Sequence, residues 1–545
     1  MALSREAYEA LEDTVGSENI SEDPADLDAY AFQMSAEISR GGSKFTIRPE
    51  AVLLPGSTEE VQAIVRTCNR YKLKVKPYST GWGMYSAIKK EGMIQLDLRR
   101  MDRILEIDEQ NMFAVVEPYV IGSTLQAEAM KLGLNTHMIG AGGVASPLAA
   151  ATSLVGVGPD SIFMGHGAEN LLALEWVMPT GDILRTGSLG AGNGWFCGEG
   201  PGPSIRCISR GEIGAMGGMG VFTKCAIKLY PWPGPSAMPL ETAIPSYRSP
   251  LPENFKAYTL AFPSWQAYAD ACYKIYDAEI GYIIHRQFNK LGGDLSPTFF
   301  KMIYTDPMKT MGDLEELLKT PEMQKLTEEM RISFQIVLAG MTLRDIDYQE
   351  KALSEILVET GGWKVAAMAE PDMEKFTLLY LIKLCFKNLN YVYSGGYWEG
   401  FSQRGTPDFQ ISFLVPAAKE LLRKHQETGL LVECGADSMM GAIGGQGGGG
   451  GFGLEQFCFY DPHDKESVKA AAEYLTDAAR IAKEKKLGGR GVEDASRLIS
   501  PEERQLFFTA EAQPALGDWQ SKIKEAFDPN DIGDRSYLKL DKPST

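Results

Sequence analysis

A strand, a helix and a second strand are predicted in succession within residues 51–77, and a loop of small residues follows them directly. Ser57 stands three residues before Glu60, which is the spacing of a capping box at the start of a helix. The second strand, LKVKP, runs into the loop YSTGWGMYSA at 78–87. Because ligands bind at the carboxyl ends of strands in α/β sheets, this arrangement predicts a ligand-binding loop.

Two further loops rich in glycine and other small residues occur at 139–158 and 211–220, and each lies beside a predicted strand. Small residues allow backbone N–H groups to approach a phosphate closely, and successive N–H groups form an anion-binding nest. One such loop alone is more often a tight turn. Three of them together favour a long pyrophosphate-containing ligand that lies across a sheet.

The rest of the chain reads as a mixture of helices and strands, and beyond Pro231 the strands become rich in aromatic residues. This change of texture predicts a domain boundary near residue 240. The predicted elements are strands at 93–98, 104–108, 112–118, 221–234, 257–262 and 410–416, a hairpin at 171–187 turning at Thr180-Gly181-Asp182, and helices at 123–131, 312–331 and 465–486, the last capped by Asp464.

Length and charge limit the class of protein. A chain of 545 residues is longer than one hydrophobic core serves, so two domains are expected. The net charge of −18 argues against binding a nucleic-acid backbone or an anionic membrane surface. The charged N-terminal residues do not resemble a signal peptide, and no uninterrupted apolar run reaches the length of about 18 residues that spans a bilayer. We therefore expect a cytoplasmic protein.

Other features are less specific. The eight cysteines are scattered without metal-ligand spacing, so no metal site is predicted. A GxGxxG begins at Gly445, but a strand-like segment follows it where a Rossmann fold needs a helix, so that interpretation is rejected. The five histidines stand apart and are expected to be structural. The aromatic segment around Tyr391 and Tyr393 fits a substrate pocket and core packing equally well.

The order of these pieces resembles the vanillyl-alcohol oxidase / p-cresol methylhydroxylase family of FAD-binding oxidoreductases. The resemblance runs through VLLPGSTEEVQAIVRTCNRYKLKVKPYSTGWGMYSA, IQLDLRRMDRILEIDEQNMFAVVEPYV, ENLLALEWVMPTGDILRTG, GPGPSIRCISRGEIGAMGGMGVFTKCAIKLYPWP and AFDPNDIG. It implies an α+β, two-domain FAD-binding fold of the p-cresol methylhydroxylase type. Residues 1–240 would form the FAD-binding domain, 241–460 an α+β cap over the substrate, and 461–545 a C-terminal segment that returns to the FAD-binding domain.

The resemblance also implies which residues bind the FAD cofactor. The first loop would wrap the pyrophosphate, the second would complete the site, and the third would lie beside the adenine half. The implied FAD-binding residues are Tyr78, Ser79, Thr80, Gly81, Trp82, Gly83, Met84, Ser146, Ser153, Gly156, Gly158, Gly217, Gly220 and Val221.

Departures from the family pattern bear on the substrate. The first loop lacks the histidine through which some relatives attach flavin covalently. Arg490 is present without the tyrosine that pairs with it in phenol oxidisers, which weakens a para-substituted phenol as substrate, and the glycine run of the cap lacks the metal-binding histidines of the D-lactate dehydrogenases. The implied catalytic residues are Tyr85, Tyr391, Tyr393, Arg490 and Glu493.

These observations predict an FAD-dependent oxidoreductase, with a dehydrogenase favoured over an oxidase. It would pass a hydride from a small organic substrate (an alcohol, a hydroxy acid or an aromatic compound) to flavin N5, and electrons would then leave to a protein acceptor or partner subunit. A homo-oligomer is compatible with this prediction. The alternative is a non-catalytic flavoprotein subunit that relays electrons within a larger complex.

Overall fold

Four β-sheets and the helices packed on them make up the part of the chain that the computed structural model describes. Most strand pairs are antiparallel, and the mixture of helices and sheets is the α+β class that the sequence predicts. The described residues are 3–31, 47–81, 88, 91–139, 142–153, 156, 158–195, 208, 218–238, 250–286, 316–317, 319–383, 396–405, 430–434, 439–440, 452–460, 464–484 and 516–534.

The first sheet has the strand order β1-β2-β4-β3, with β4 parallel to both of its neighbours. Its apolar side chains pack with those of the helices into one hydrophobic core. The predicted strand, helix and strand are confirmed. The elements are β1 (Ile20–Ser21), β2 (Ala51–Leu53), β3 (Lys74–Tyr78) and β4 (Met93–Asp97), with α1 (Arg5–Val15), α2 (Pro24–Tyr30) and α3 (Thr58–Tyr71).

The predicted capping box of α3 is only half correct. The Ser57 hydroxyl accepts a hydrogen bond from the Glu60 N–H at 3.1 Å, as predicted. The Glu60 carboxylate, however, accepts from the N–H of Gly56 at 2.8 Å, one residue before the expected donor. The same carboxylate oxygen lies 3.4 Å from Arg100 Nη1, so the side chain is drawn toward the Pro55-Gly56 turn.

The second sheet has the order β5-β6-β10-β8-β9, and β7 pairs with the far end of β10. The predicted hairpin is confirmed, since β8 and β9 are antiparallel and flank the predicted turn. The elements are β5 (Ile104–Asp108), β6 (Phe113–Val116), β7 (Leu134–Thr136), β8 (Leu171–Val177), β9 (Ile183–Arg185) and β10 (Val221–Pro231), with α4 (Gly122–Lys131), α5 (Pro147–Ser153), α6 (Ser161–Met164) and α7 (Gly187–Gly190).

The third sheet (order β12-β13-β11-β14) and the fourth (β15-β18-β16, with β17 beside β18) follow in the second half of the chain. Among the described residues, no helix combines the length and apolar character that crossing a bilayer requires. The elements are β11 (Phe255–Ala261), β12 (Ile283–His285), β13 (Ser333–Ala339), β14 (Trp363–Lys364), β15 (Gly396–Gly405), β16 (Leu431–Cys434), β17 (Met439–Met440) and β18 (Phe452–Tyr460), with α8 (Trp265–Asp277), α9 (Pro321–Glu329), α10 (Leu343–Thr360), α11 (Pro371–Lys383), α12 (Lys465–Glu484) and α13 (Leu516–Phe527).

Two helix predictions in this half have different outcomes. The predicted helix at 312–331 is described only in part: residues 316–317 are helical, residues 319–320 form a turn, and α9 begins at Pro321, where the Thr320 hydroxyl accepts from the backbone of the first turn. The start of α12 is as predicted, and Asp464 accepts from the N–H of Glu466 at 3.0 Å. The predicted strand at 410–416 lies outside the described residues.

The C-terminal segment packs against the first sheet. The Val75 N–H donates to the Ile532 carbonyl at 2.8 Å, and the Asp534 N–H donates to the Val75 carbonyl at 3.1 Å. Lys524 in α13 donates to the Gly218 carbonyl at 2.6 Å and contacts Asp528 at 2.5 Å. A return of the C-terminal segment to the first half of the chain is therefore present, while the division of the chain at residues 240 and 460 stays a prediction.

A buried carboxylate joins α3 to the second sheet. Glu175 in β8 accepts from Thr58 and Lys224 at 2.7 Å and from Arg185 at 2.8 Å. Burial alone would raise the pKa of Glu175, but the hydrogen bonds from Lys224, Thr58 and Arg185 outweigh it and lower the pKa. Glu175 is thus held as a carboxylate at neutral pH.

We expect Glu175→Gln to lower the free energy of unfolding by about 3 kcal/mol at pH 7, because it removes the charge that the buried partners face. A pKa lowered by folding stabilises the protein above the ordinary value of 4.5, and this contribution is lost as the pH falls through the folded-state pKa. The difference from wild type should therefore shrink in acid. Urea unfolding from pH 3 to pH 7 measures it, with the exposed Glu109→Gln as control; equal effects of the two variants would contradict the assignment.

Candidate functional site

The first glycine loop begins where β3 ends at Tyr78. The Ser79 hydroxyl donates to the Pro118 carbonyl, which ties the loop to the segment after β6. Gly81 has a φ of +71°, a conformation that side-chain-bearing residues rarely adopt, and a Cβ there would lie 2.0 Å from the Tyr78 hydroxyl. The loop therefore favours glycine at position 81.

A cluster of polar side chains lies beside Tyr78, where this loop begins. Asp97 at the end of β4 is fully buried and accepts from the Tyr30 hydroxyl at 2.5 Å and from Arg99 Nε at 2.8 Å. The Tyr30 and Tyr78 rings meet edge to face with 5.2 Å between centroids. Burial, with the Asp97 charge adding to it, raises the pKa of Tyr78 to about 12. The Tyr78 phenol therefore stays neutral in the physiological range and is available as a hydrogen-bond donor.

The second loop is anchored to the start of α4. The Gly122 N–H donates to the Ala145 carbonyl at 2.9 Å, and the Ser123 N–H donates to the Gly143 carbonyl at 2.8 Å. Ser146 is buried and accepts from the Ala149 N–H at the start of α5. A cleft opens between these elements, lined by Gly122, His137, Met138, Ile139, Ala145, Pro147, Ala150, Gly167, Asn170 and Ile227.

The far end of the second loop approaches β7 closely. A Cβ at Gly158 would lie 2.0 Å from the Met138 carbonyl oxygen, so only glycine fits there. Two residues later, Asp160 accepts from the Met138 N–H and contacts His137 Nδ1, both at 2.6 Å. His137 Nε2 lies 2.7 Å from the Gly156 carbonyl. The cleft is thus bounded by a tightly bonded turn.

The third loop lies at the start of β10. A Cβ at Gly218 would lie 2.6 Å from the Asp534 carbonyl, so the loop and the C-terminal segment are in backbone contact. The Met219 carbonyl accepts from the Trp176 indole N–H at 2.6 Å. Because residues 532–534 also pair with β3, the C-terminal segment bridges the first and third loops.

The structure describes part of the predicted site. The described FAD-binding candidates are Tyr78, Ser79, Thr80, Gly81, Ser146, Ser153, Gly156, Gly158, Gly220 and Val221. The candidates outside the described residues are Trp82, Gly83, Met84 and Gly217, together with all the predicted catalytic residues, Tyr85, Tyr391, Tyr393, Arg490 and Glu493. In the described parts of the chain, no three His, Cys, Asp or Glu side chains are grouped as a metal site requires.

The described loops fit a dinucleotide cofactor. A Cβ at Gly81 would meet the Tyr78 side chain, and a Cβ at Gly158 would meet the Met138 carbonyl oxygen, so neither position has room for a side chain. Each loop belongs to one of the two N-terminal sheets or connects directly to it. Such glycine-lined backbone binds phosphate through N–H groups rather than through charged side chains, which suits a pyrophosphate in an acidic protein. The role of each residue in FAD binding stays a prediction.

Comparison with known proteins identifies this region. Residues 49–187 match the model of the FAD binding domain family, a range that contains the first two glycine loops. Over its whole length the chain has the fold of p-cresol methylhydroxylase, solved with substrate bound, with a TM-score of 0.70, 18% identity and coverage of 97% of this chain and 95% of that one. Residues 49–187 are thus an FAD-binding domain, and the chain has the p-cresol methylhydroxylase type of fold. The predicted family, fold class and FAD cofactor are confirmed.

Other similar proteins include enzymes named for phenols and for hydroxy acids. The 4-ethylphenol oxidase from Gulosibacter chungangensis has a TM-score of 0.68, 18% identity and coverage of 97% of both chains. In sequence, a probable mitochondrial D-lactate dehydrogenase of Danio rerio is 27% identical over 46% of this chain and 48% of that protein. The glycolate oxidase subunit GlcD of Bacillus subtilis is 25% identical over 42% of this chain and 46% of its own. The chain thus spans about half the length of the curated relatives it matches.

Several residues around the loops were not predicted from the sequence. Tyr30, Asp97 and Arg99 form the cluster under the first loop although 67 residues separate Tyr30 from Asp97. The contact between His137 and Asp160 crosses the whole second loop, and Lys524 reaches Gly218 from 306 positions away. Only the nearness of Asp97 and Arg99 at the carboxyl end of a strand was visible as a local signal.

We expect Gly81→Val to yield a folded protein that purifies without FAD, because a branched side chain meets Tyr78 and covers the backbone of the loop. Gly192→Val is the matched control. Gly192 also has a positive φ, of +77°, and a Cβ there meets no described atom within 4 Å. Both variants bear the cost of about 1–3 kcal/mol for the unfavourable backbone conformation. Visible absorbance of the purified proteins distinguishes them, and full FAD occupancy of Gly81→Val would refute the role of this loop.

Proposed function

We propose that this protein is an FAD-dependent dehydrogenase that oxidises a small organic substrate and passes the electrons to a protein acceptor. The observation that carries the proposal is the match of residues 49–187 to the FAD binding domain, which coincides with the glycine-lined loops at the ends of β3 and β7. We further propose that residues 1–240 and 461–545 hold the cofactor and that 241–460 cover the substrate.

The cofactor, when bound, supplies the two-electron acceptor, and the residues of the chain bind and orient it. In this proposal the backbone of the first glycine loop wraps the pyrophosphate, the second loop completes the site, and the third lies beside the adenine half, while the neutral Tyr78 hydroxyl adds a donor beside the first loop. The cluster of Asp97, Arg99 and Tyr30 holds Tyr78 in place. The apolar walls of the cleft beside α4 and α5 would exclude water from the part of the cofactor that the second loop contacts.

The residues that meet the substrate are proposed from the sequence resemblance. Tyr85, Tyr391 or Tyr393, or the carboxylate of Glu493, would take the hydroxyl proton of an alcohol substrate, and Arg490 would bind an anionic group. The substrate is an alcohol, a hydroxy acid or an aromatic compound. Relatives named D-lactate dehydrogenase and glycolate oxidase subunit favour a hydroxy acid, and the whole-chain likeness to a p-cresol and a 4-ethylphenol enzyme keeps the aromatic class.

A second candidate is a flavoprotein subunit that relays electrons within a complex. It is favoured by the relative whose name, glycolate oxidase subunit GlcD, places it in a larger assembly, and by the arginine at 490 that lacks a neighbouring tyrosine. A subunit of this kind would bind FAD without oxidising a substrate by itself.

Anaerobic titration separates the two candidates. We expect the visible flavin absorption of the purified protein to bleach on addition of one substrate class among D-lactate, glycolate and para-alkylphenols. In an enzyme, the substrate transfers two electrons to the bound flavin and thereby reduces it. Dithionite serves as the control for a reducible flavin. A flavin that dithionite bleaches and none of the substrates affects would support the relay subunit instead.

The electron acceptor is tested by reoxidation kinetics. The net charge of −18 gives the surface a negative field that attracts basic protein partners and weakens as salt is added. We expect the reduced flavin to react slowly with oxygen and rapidly with a cationic dye or a basic carrier protein, the latter with a strong salt dependence. Stopped-flow absorbance measures both reactions. Reoxidation by air as fast as substrate turnover would make the protein an oxidase.

A further inference from the structure

His137 and Asp160 form a buried ion pair at the far end of the second glycine loop. His137 directly follows β7, and the side chains of the two residues are only 5% and 7% exposed. Nδ1 of His137 lies 2.6 Å from one oxygen of Asp160. The other oxygen of Asp160 accepts the N–H of Met138 at 2.6 Å, so both oxygens of the carboxylate are occupied.

The hydrogen-bond partners define the protonation of this histidine. Nε2 faces the Gly156 carbonyl at 2.7 Å, and because a carbonyl only accepts, Nε2 must carry a proton. Nδ1 faces a carboxylate at a distance typical of a charge-assisted hydrogen bond. With a proton on each nitrogen, His137 is an imidazolium, and Asp160 supplies the opposite charge.

Other charged and titratable groups around the pair reinforce this state. Glu169 lies in the turn before β8 and adds negative charge near the ring. Tyr230 in β10 and Tyr282 before β12 face Asp160 from the other elements, and burial raises the pKa of both phenols, so they stay neutral. Burial alone would lower the pKa of His137, but Asp160, with Gly156 and Glu169, raises it above the ordinary 6.5.

The pair joins three parts of the molecule. Through Gly156 it holds the end of the second loop, and through Met138 it holds the strand that lines the cleft. Between them, Pro159 accepts at its carbonyl from the N–H of Ile284 in β12 at 2.9 Å, which is a direct contact with the third sheet. Gly158 has no room for a side chain, so at that position the turn is fixed by backbone contacts.

We infer that His137 is a cofactor-positioning residue, whose imidazolium, clamped between Asp160 and Gly156, keeps the second glycine loop in the conformation that binds FAD. The inference rests on FAD binding by this loop and not on the proposed substrate oxidation. His137 lines the cleft, but both of its ring nitrogens are hydrogen-bonded to protein groups. It therefore acts by fixing the loop and not by contacting the cofactor through these nitrogens. When the proton is lost, one of the two hydrogen bonds is lost with it, and the loop is released.

The direction of the pH dependence follows from the raised pKa. A histidine whose pKa is raised by folding contributes stability in full below its ordinary value of 6.5, and the contribution disappears as the pH rises through the folded-state pKa. FAD must then restore the binding conformation of the second glycine loop, and the free energy that this requires is subtracted from its binding free energy. FAD affinity should therefore fall on the alkaline side and not on the acid side of neutrality.

The experiment measures FAD dissociation from the full-length protein by flavin fluorescence between pH 6 and pH 10. For wild type, we expect the dissociation constant to rise toward a limiting slope of about tenfold per pH unit, the slope of a single proton. His137→Gln keeps a donor to Gly156 but does not titrate, so its affinity should be weaker at neutral pH and flat across this range. Asp160→Asn should show the same flattening.

Asp182→Asn, the same chemical change in the exposed hairpin turn, is the matched control and should keep the wild-type profile. A wild-type profile in His137→Gln, or a wild-type affinity that does not fall in alkali, would overturn the inference.

Nitrogen-15 histidine NMR of the wild-type protein decides the protonation without any variant. Five histidines give few enough signals to assign, and a neutral His137 ring at pH 7 would also overturn it. Because this readout needs no bound flavin, a failure of FAD binding would be recognised separately.

Discussion

The close approach of the backbone at Gly158 to the Met138 carbonyl is the constraint on which the cleft depends. Because a Cβ would lie 2.0 Å from that oxygen, the chain passes β7 there without a side chain between them. This brings Asp160 within reach of His137 and leaves the Pro159 carbonyl for the third sheet. A residue without a side chain thus determines how the second glycine loop and the third sheet meet.

Strand β10 connects the second sheet, the third glycine loop and the third sheet. Along its 11 residues it pairs with β8, β6 and β7, and it begins at the third glycine loop. Just beyond its end, Trp232 packs against Phe255 and Tyr282, in the core of the third sheet. The second and third glycine loops and the third sheet are therefore connected through one continuous strand, and its length contributes to their spacing.

Features that depend on neighbouring residues were predictable from the sequence. Local periodicity and turn residues predict the strand, helix and strand of the first sheet and the hairpin of β8 and β9. The glycine content of the three loops predicts a site in which backbone N–H groups bind the ligand. The Thr320-Pro321 pair is also a helix-start signal, and it explains why α9 begins at Pro321.

Features that depend on distant contacts were not predictable. His137 was expected to be structural, and nothing in its local sequence distinguishes it from the other four histidines, because Asp160 comes beside it only through the fold of the loop. The same holds for Tyr30 and Asp97, whose hydrogen bond joins a helix to the end of a strand. The Glu60 carboxylate accepts from the N–H of Gly56 and not from that of Ser57, because Arg100, a residue distant in sequence, contacts the same carboxylate oxygen.

The place of residues 524–534 beside β3 has a consequence for biosynthesis. Lys74 and Lys76 contact Asp531 and Asp534 across separations of 457 and 458 residues, so the first sheet gains its last neighbour only after almost all of the chain has left the ribosome. At about 5–20 residues per second, that interval is on the order of half a minute or more. Through this time the edge of β3 lacks its covering segment, and an uncovered strand edge is free to pair with other strands, so slower synthesis lengthens the period of risk.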